Sequence, residues 1–126
     1  MSQTRPNGFT LIELLVVMAI IATLLTLVAP RFMGSIDHAK ETALQENLNT
    51  LRQSIDKYYG DTNSDPATLQ TLVDKRYIRK VPVDPLTERD DTWQVDPPPD
   101  REQSGVYDVH SGAPGKGSDG RPYGEW

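Results

Sequence analysis

The sequence contains no cysteine, which rules out disulfides and thiolate metal sites and leaves the redox compartment undetermined. Its two histidines, His38 and His110, are a poor basis for a zinc centre without thiolates. No Lys/Arg-rich run occurs and the net charge is -5, so no nucleic-acid partner is expected. There is no internal repeat. Apolar residues are scarce outside one N-terminal block, and the remainder is polar, with most of the ten prolines and nine glycines. A chain of 126 residues fits one small domain. The polar remainder can bury only a modest core, which leaves room for partners or a bound ion to add stability.

The block itself runs from Phe9 to Ala29, FTLIELLVVMAIIATLLTLVA, and is long enough to cross a hydrocarbon core of roughly 30 Å as a helix. The preceding MSQTRPNG is short and polar, with Arg5 its only charged side chain. Such a leader tends to stay cytoplasmic, which places the rest of the chain on the far side of the membrane. Three readings compete. A cleaved signal peptide has an apolar region of roughly 7–15 residues, shorter than this one. A plain membrane anchor explains the length but not Glu13, since an acidic residue within a span costs on the order of 2.5–3.5 kcal/mol and marks a function.

The third reading accounts for both. Gly8 to Pro30, GFTLIELLVVMAIIATLLTLVAP, closely resembles the class III signal of type IV pilins and type II secretion pseudopilins. The resemblance implies that a prepilin peptidase cuts after Gly8, methylates the new N-terminal residue Phe9, and leaves the apolar helix in place. It divides the chain into a leader (1–8), a transmembrane and assembly helix (9–29) and a periplasmic head with the rest of the long helix (30–126). Cleavage would create an α-amino group on Phe9 with a reference pKa of about 7.7–8.0, largely cationic near neutral pH. Glu13 could pair with that amine, one turn away or on a neighbouring subunit. Stranding one partner of such a pair typically costs about 3–5 kcal/mol. Glu13 then acts as a registry device; the bland alternative is a carboxylate facing lipid headgroups.

Pro30 is expected to stop or kink the helix, with Gly34 a further weak point, and the family commonly has a proline at this position. Beyond it, Ile36, Ala39, Ala43, Leu44, Leu48, Leu51, Ile55, Tyr58 and Tyr59 recur at helical spacing. Asp37, Lys40, Glu41, Glu46, Arg52, Asp56 and Lys57 lie between them and read as a wet or subunit-facing surface. Gly60 fits a C-terminal stop. The whole helix would approach roughly 75 Å at 1.5 Å per residue.

In the remaining segment, Asp65 and Pro66 read as the cap and first turn of a short helix carrying Leu69, Leu72 and Val73. Asp84-Pro85 resembles a turn found after the short helix in G-type pseudopilins. Two strands are expected, in Asp91–Asp96 around Trp93 and Val95, and in Gly105–His110 around Val106, Tyr107 and Val109. Such a small sheet must lean on the long helix. The Gly-rich end SGAPGKGSDGRPYGEW has Tyr123 and Trp126 as anchors. The expected class is α+β, a pilin-like lollipop with one long helix, a short helix and a small antiparallel sheet.

In major pseudopilins the corresponding last loop binds calcium, an ion that takes six to eight oxygens. The resemblance makes Asp108, Ser111, Ser118, Asp119 and Glu125 calcium candidates here, with backbone carbonyls. Lys116 and Arg121 depart from the family pattern, and the alternative is a metal-free loop held by its aromatics. Asp108, His110 and Ser111 also suggest a hydrolase triad, but strand alternation splits them between faces and no nucleophile elbow surrounds the serine, so no enzyme is expected.

The best-supported expectation is a structural subunit of a type II secretion pseudopilus, held in the inner membrane and then assembled into a periplasmic filament. Its expected partners are copies of itself, other pseudopilins, prepilin peptidase, the inner-membrane assembly platform and, before assembly, lipid. A minor type IV pilin, a competence-type pseudopilin and a membrane-tethered binding domain are the alternatives. Mass analysis of the mature N-terminus separates the last of these from the others: the expected species starts at N-methylated Phe9, and a start elsewhere would contradict the pilin-like reading.

Overall fold

The computed structural model describes residues 8–126; the first seven residues, and with them all of the leader except Gly8, lie outside the described residues. The chain forms two compact units, Met1–Asp37 and His38–Trp126. Helix α1, Leu11–Thr62, contributes to both.

In the first unit, the helix starts where Thr10 supplies an acceptor: its Oγ1 accepts from the Glu13 N–H at 3.2 Å. Thr10-Leu-Ile-Glu13 has the spacing of a capping box, with the acidic residue in the first turn, where the helix dipole favours it. The next turns are long and apolar enough to cross a membrane, and none of their most apolar stretch is buried within the chain. The hydroxyls of this segment are turned inward onto the backbone: Thr23 and Thr26 donate to the carbonyls of Ala19 and Ala22 at 2.9 and 2.8 Å. That removes unpaired donors from a surface that lipid could not satisfy. The expected stop at Pro30 does not occur, and α1 runs through it. A proline removes one intrahelical bond, and the turns on either side carry the helix past it.

In the second unit, Leu44, Leu48, Leu51 and Ile55 of α1 form one side of the core. Leu72, Trp93, Val106, Val109 and Trp126 complete it. The buried stripe is narrower than the sequence pattern. Ala39, Ala43 and Tyr59 are exposed, whereas Glu41 and Ser54 are buried. The helix also passes Gly60 and ends at Thr62; Asn63, at φ 59°, takes the left-handed position expected of the glycine, and its N–H bonds the Tyr59 carbonyl at 2.7 Å.

Helix α2, Leu69–Asp74, is capped by Thr68 rather than Asp65, in a reciprocal box with Thr71. Its Leu72 is fully buried, and Tyr77 just beyond it meets Tyr58 edge-on, with ring centroids 5.4 Å apart. Strands β1, Gln94–Asp96, and β2, Asp108–His110, pair antiparallel with Val95 opposite Val109. Both are three residues long because the residues before them do other work. Trp93 buries its ring and donates Nε1–H to the Pro82 carbonyl at 2.8 Å. The Val106 N–H is taken by the Pro66 carbonyl at 2.8 Å. A 3-10 turn, Tyr123–Glu125, ends the chain, and the α+β class is the one the sequence indicates.

Because the core of this unit is small, single truncations should be felt. Leu51→Ala is expected to destabilise the unit by about 2–5 kcal/mol, read as a fall in the urea midpoint of the full chain in detergent micelles. A cost under about 1 kcal/mol would show that Leu51 is not the packing centre described.

Candidate functional site

Two features carry chemical information: the N-terminal end of α1, and a set of polar side chains that tie the last loop to the long helix.

Gly8 and Phe9 lie in non-helical chain just ahead of α1, and both are exposed, Phe9 at 89%. A Cβ added at Gly8 would meet nothing within 4 Å. Glu13 lies in the first turn of the helix and is exposed, as are the large apolar residues between Phe9 and Met33, including Leu15, Val17, Ile21 and Leu25. Pro30 is on the same uncovered segment. An acidic side chain at the head of an apolar helix surface with no internal partner layer is suited to meeting other helices.

In the second unit, Arg52 projects from α1 and makes three bonds. Its Nε donates to Asp108 Oδ1 at 2.9 Å, and Nη2 donates to the Val109 carbonyl at 2.9 Å and to the Trp126 main-chain oxygen at 2.6 Å. His110 Nδ1 donates to that same oxygen at 2.8 Å, while Nε2 faces Asp96 Oδ2 at 2.8 Å. One guanidinium therefore joins the helix, β2 and the chain's last residue.

Glu41, about three turns upstream on α1, receives Ser118 N–H at 2.8 Å, Ser118 Oγ–H at 2.6 Å and Tyr123 Oη–H at 3.0 Å. The Ser118 hydroxyl is the main reason that its carboxyl titrates below the ordinary value of 4.5; burial opposes this, the Ser118 amide and Tyr123 hydroxyl assist, and nearby Asp119 opposes it. Asp84 is fully buried and accepts from Ser111 Oγ at 2.5 Å and from the Leu86 N–H at 2.9 Å. It fixes the turn that precedes β1.

The five calcium candidates are each placed differently. Asp108 faces Arg52, Ser111 donates to Asp84, Ser118 donates to Glu41, Asp119 pairs with Arg121 at 2.8 Å, and Glu125 is exposed. Among the described residues, the group of metal-ligating side chains that does gather is Asp96, Asp108 and His110, with ligand atoms within 4.8 Å of one another. It shares Asp108 with the positive charge of Arg52. The triad geometry is absent, since the buried Ser111 hydroxyl points to Asp84 and not to His110.

Sequence reasoning places Glu41 and Arg52 among wet charges and Asp84 in a turn, and misses the anchoring role of all three. A signal for Glu41 is present: it extends the buried series Leu44, Leu48, Leu51, Ile55 by one three-residue step. Arg52 and Asp84 carry no comparable local mark.

Residues 4–29 match the prokaryotic N-terminal methylation motif, which defines the broad class of pilin-like proteins. The chain is 34% identical over 101 residues to the type II secretion system core protein G of Pseudomonas aeruginosa, covering 68% of this chain and 71% of that one. It is 33% identical to the protein of the same name from Aeromonas hydrophila, with the same coverage. The Escherichia coli (strain K12) counterpart is 30% identical, over 87% of this chain and 83% of its own length. No solved structure matches. The chain belongs to the family of type II secretion system core protein G.

The Glu41 contacts generate a pH dependence of known sign. Because its folded pKa is lowered, its stabilising contribution is complete above the ordinary carboxyl value and disappears as pH falls through the lower folded value. Thermal unfolding of the full chain across about pH 7 to pH 3 is expected to show a steeper acid loss than the Glu41→Gln variant. Parallel profiles would contradict the assignment.

Proposed function

We infer that this chain is a non-catalytic structural subunit of a type II secretion pseudopilus, made as a precursor whose leader ends at Gly8 and anchored in the inner membrane by α1 until it is assembled. The observation that carries this reading is the uncovered apolar segment from Phe9 to Met33 with Glu13 at its head, in a chain of the core protein G family. Burying that segment against other copies replaces lipid contacts with protein packing.

In this reading, prepilin peptidase frees the amine of Phe9, and the Glu13 carboxylate of a neighbouring copy pairs with it. The pair fixes the axial offset between helices, because a charge placed out of step has no partner in a low-dielectric surrounding. An inner-membrane assembly platform lifts subunits into a periplasmic filament shared with other pseudopilins. The second unit, on the periplasmic side, forms the outer layer. The Thr10 cap also gives Glu13 a local role in starting the helix, so the test must separate helix initiation from pairing.

Glu13→Gln keeps the capping geometry and removes the charge. It is expected to leave the protein in the membrane at native level while filament yield and secretion of exported proteins fall at least roughly tenfold, the effect of about 1.4 kcal/mol per assembly step. Native secretion and filament yield in that variant would contradict the pairing role. Loss of natural transformation or surface motility, with export intact, would favour a competence-type or type IV pilus assignment instead.

A further inference from the structure

We propose that Glu41 is the anion around which the C-terminal loop Gly115–Trp126 closes, so that this chain holds the loop with its own side chain instead of a bound divalent cation. The loop resembles one that binds calcium in major pseudopilins, so the donor set here must be tested against that ion.

A calcium cage needs six to eight oxygens whose lone pairs converge. Here the atoms around the one buried carboxylate of the helix present hydrogens: an amide N–H and a hydroxyl from Ser118 and the phenol of Tyr123 all point at Glu41. A cation placed there would face those donors. Within the loop, the Asp119 carboxylate is held by the Arg121 guanidinium and the Arg121 N–H at 2.8 and 3.0 Å. Three main-chain carbonyls of the loop are engaged too: Gly115 accepts from Tyr123 N–H, Gly117 from Gly120 N–H, and Arg121 from Gly117 N–H. Asp108 and Ser111 serve Arg52 and Asp84. With these oxygens claimed by donors, the loop and its Glu41 anchor do not fit a calcium site.

They do fit a latch. Ser118 and Glu41 are 77 positions apart in the chain, so each of these bonds closes a long loop. The Trp126 ring packs directly over Gly117, where a Cβ would overlap it, and lies 5.3 Å from Tyr123 and 6.0 Å from the Arg121 guanidinium. Glu41 thus anchors the loop from the helix side while Trp126 fills the space beneath. The latch is a property of this unit alone and does not depend on the export reading, so failure of either leaves the other standing.

Lys116 is exposed within the loop and gives trypsin a site whose cleavage reports loop opening, whereas Arg121 precedes Pro122 and is a poor site. The full chain in detergent micelles is digested in excess EDTA and in millimolar calcium, and cleavage after Lys116 is followed by mass spectrometry. The expected rates agree within about twofold, because a cation that bound the closed loop at a hundred times its Kd would slow opening roughly a hundredfold. Glu41→Gln is expected to raise the rate about tenfold or more in both media, the effect of losing one charge-assisted anchor. Should that variant unfold altogether, Ser118→Ala, which keeps the carboxylate, is expected to show a several-fold rise alone. Protection by calcium in the native chain, or native cleavage rates in Glu41→Gln or Ser118→Ala, would overturn the proposal.

Discussion

Between Phe9 and Met33 the chain carries apolar surface that none of the described residues covers, and the behaviour of the protein depends on how that surface is removed from water. At about 25 cal/mol per Å², a helix of this composition cannot remain in aqueous solution without cost. Lipid can cover it, and so can equivalent helices. Apolar contact alone does not choose between the two, since hydrocarbon tails are as apolar as leucine side chains. A polar group that is satisfied in one setting and not in the other makes the choice, and Glu13 is the one ionisable side chain in the apolar block. Within that block the hydroxyls of Thr23 and Thr26 are turned inward and satisfied by the helix backbone.

The second unit has a different problem. Its buried apolar residues are few, its strands are three residues each, and it lacks disulfides. Three ionisable side chains make up for this by joining segments remote in sequence. Arg52 gathers β2 and the last residue, Glu41 gathers the Gly-rich loop, and Asp84 fixes the turn before the sheet through Ser111. Glu41 and Asp84 spend their hydrogen-bonding capacity on backbone and hydroxyl donors, and part-buried Arg52 on two main-chain oxygens and the Asp108 carboxylate, which is what makes burial of an ionisable group tolerable. The long helix is therefore more than a packing surface, because it presents the anchors onto which irregular chain is hung.

Much of this is legible in the sequence, for reasons that differ by element. The apolar block and its family signature are local and dense, so their chemistry is written in consecutive residues. The stripe from Leu44 to Ile55 follows from helical period alone. The helix ends differ from expectation because local punctuation is outweighed. One proline does not end a helix supported on both sides, and Asn63 serves where Gly60 was expected to. Thr68 displaces Asp65 as a cap because its partner Thr71 stands at the reciprocal position. Arg52 and Asp84 are out of reach for another reason: the partners that tie them across the fold lie 27 to 74 positions away, and no local rule specifies such pairs. The calcium expectation rests on likeness of composition, which does not reveal whether oxygens present lone pairs or have already been claimed by donors.

The central claim is that the segment from Phe9 to Met33 is covered by the same segment of other copies. The absence of native cysteine allows this to be probed site by site, with cysteine pairs placed along the helix at the four-residue offset from Phe9 to Glu13, such as Val16→Cys with Ile20→Cys, and oxidised in cells producing the assembled fibre. The account predicts covalent ladders extending beyond the dimer for pairs one axial step apart, and none for pairs out of step. Monomer alone for every pair, in cells whose fibres are intact, would show that this segment is not the shared core and would contradict the account.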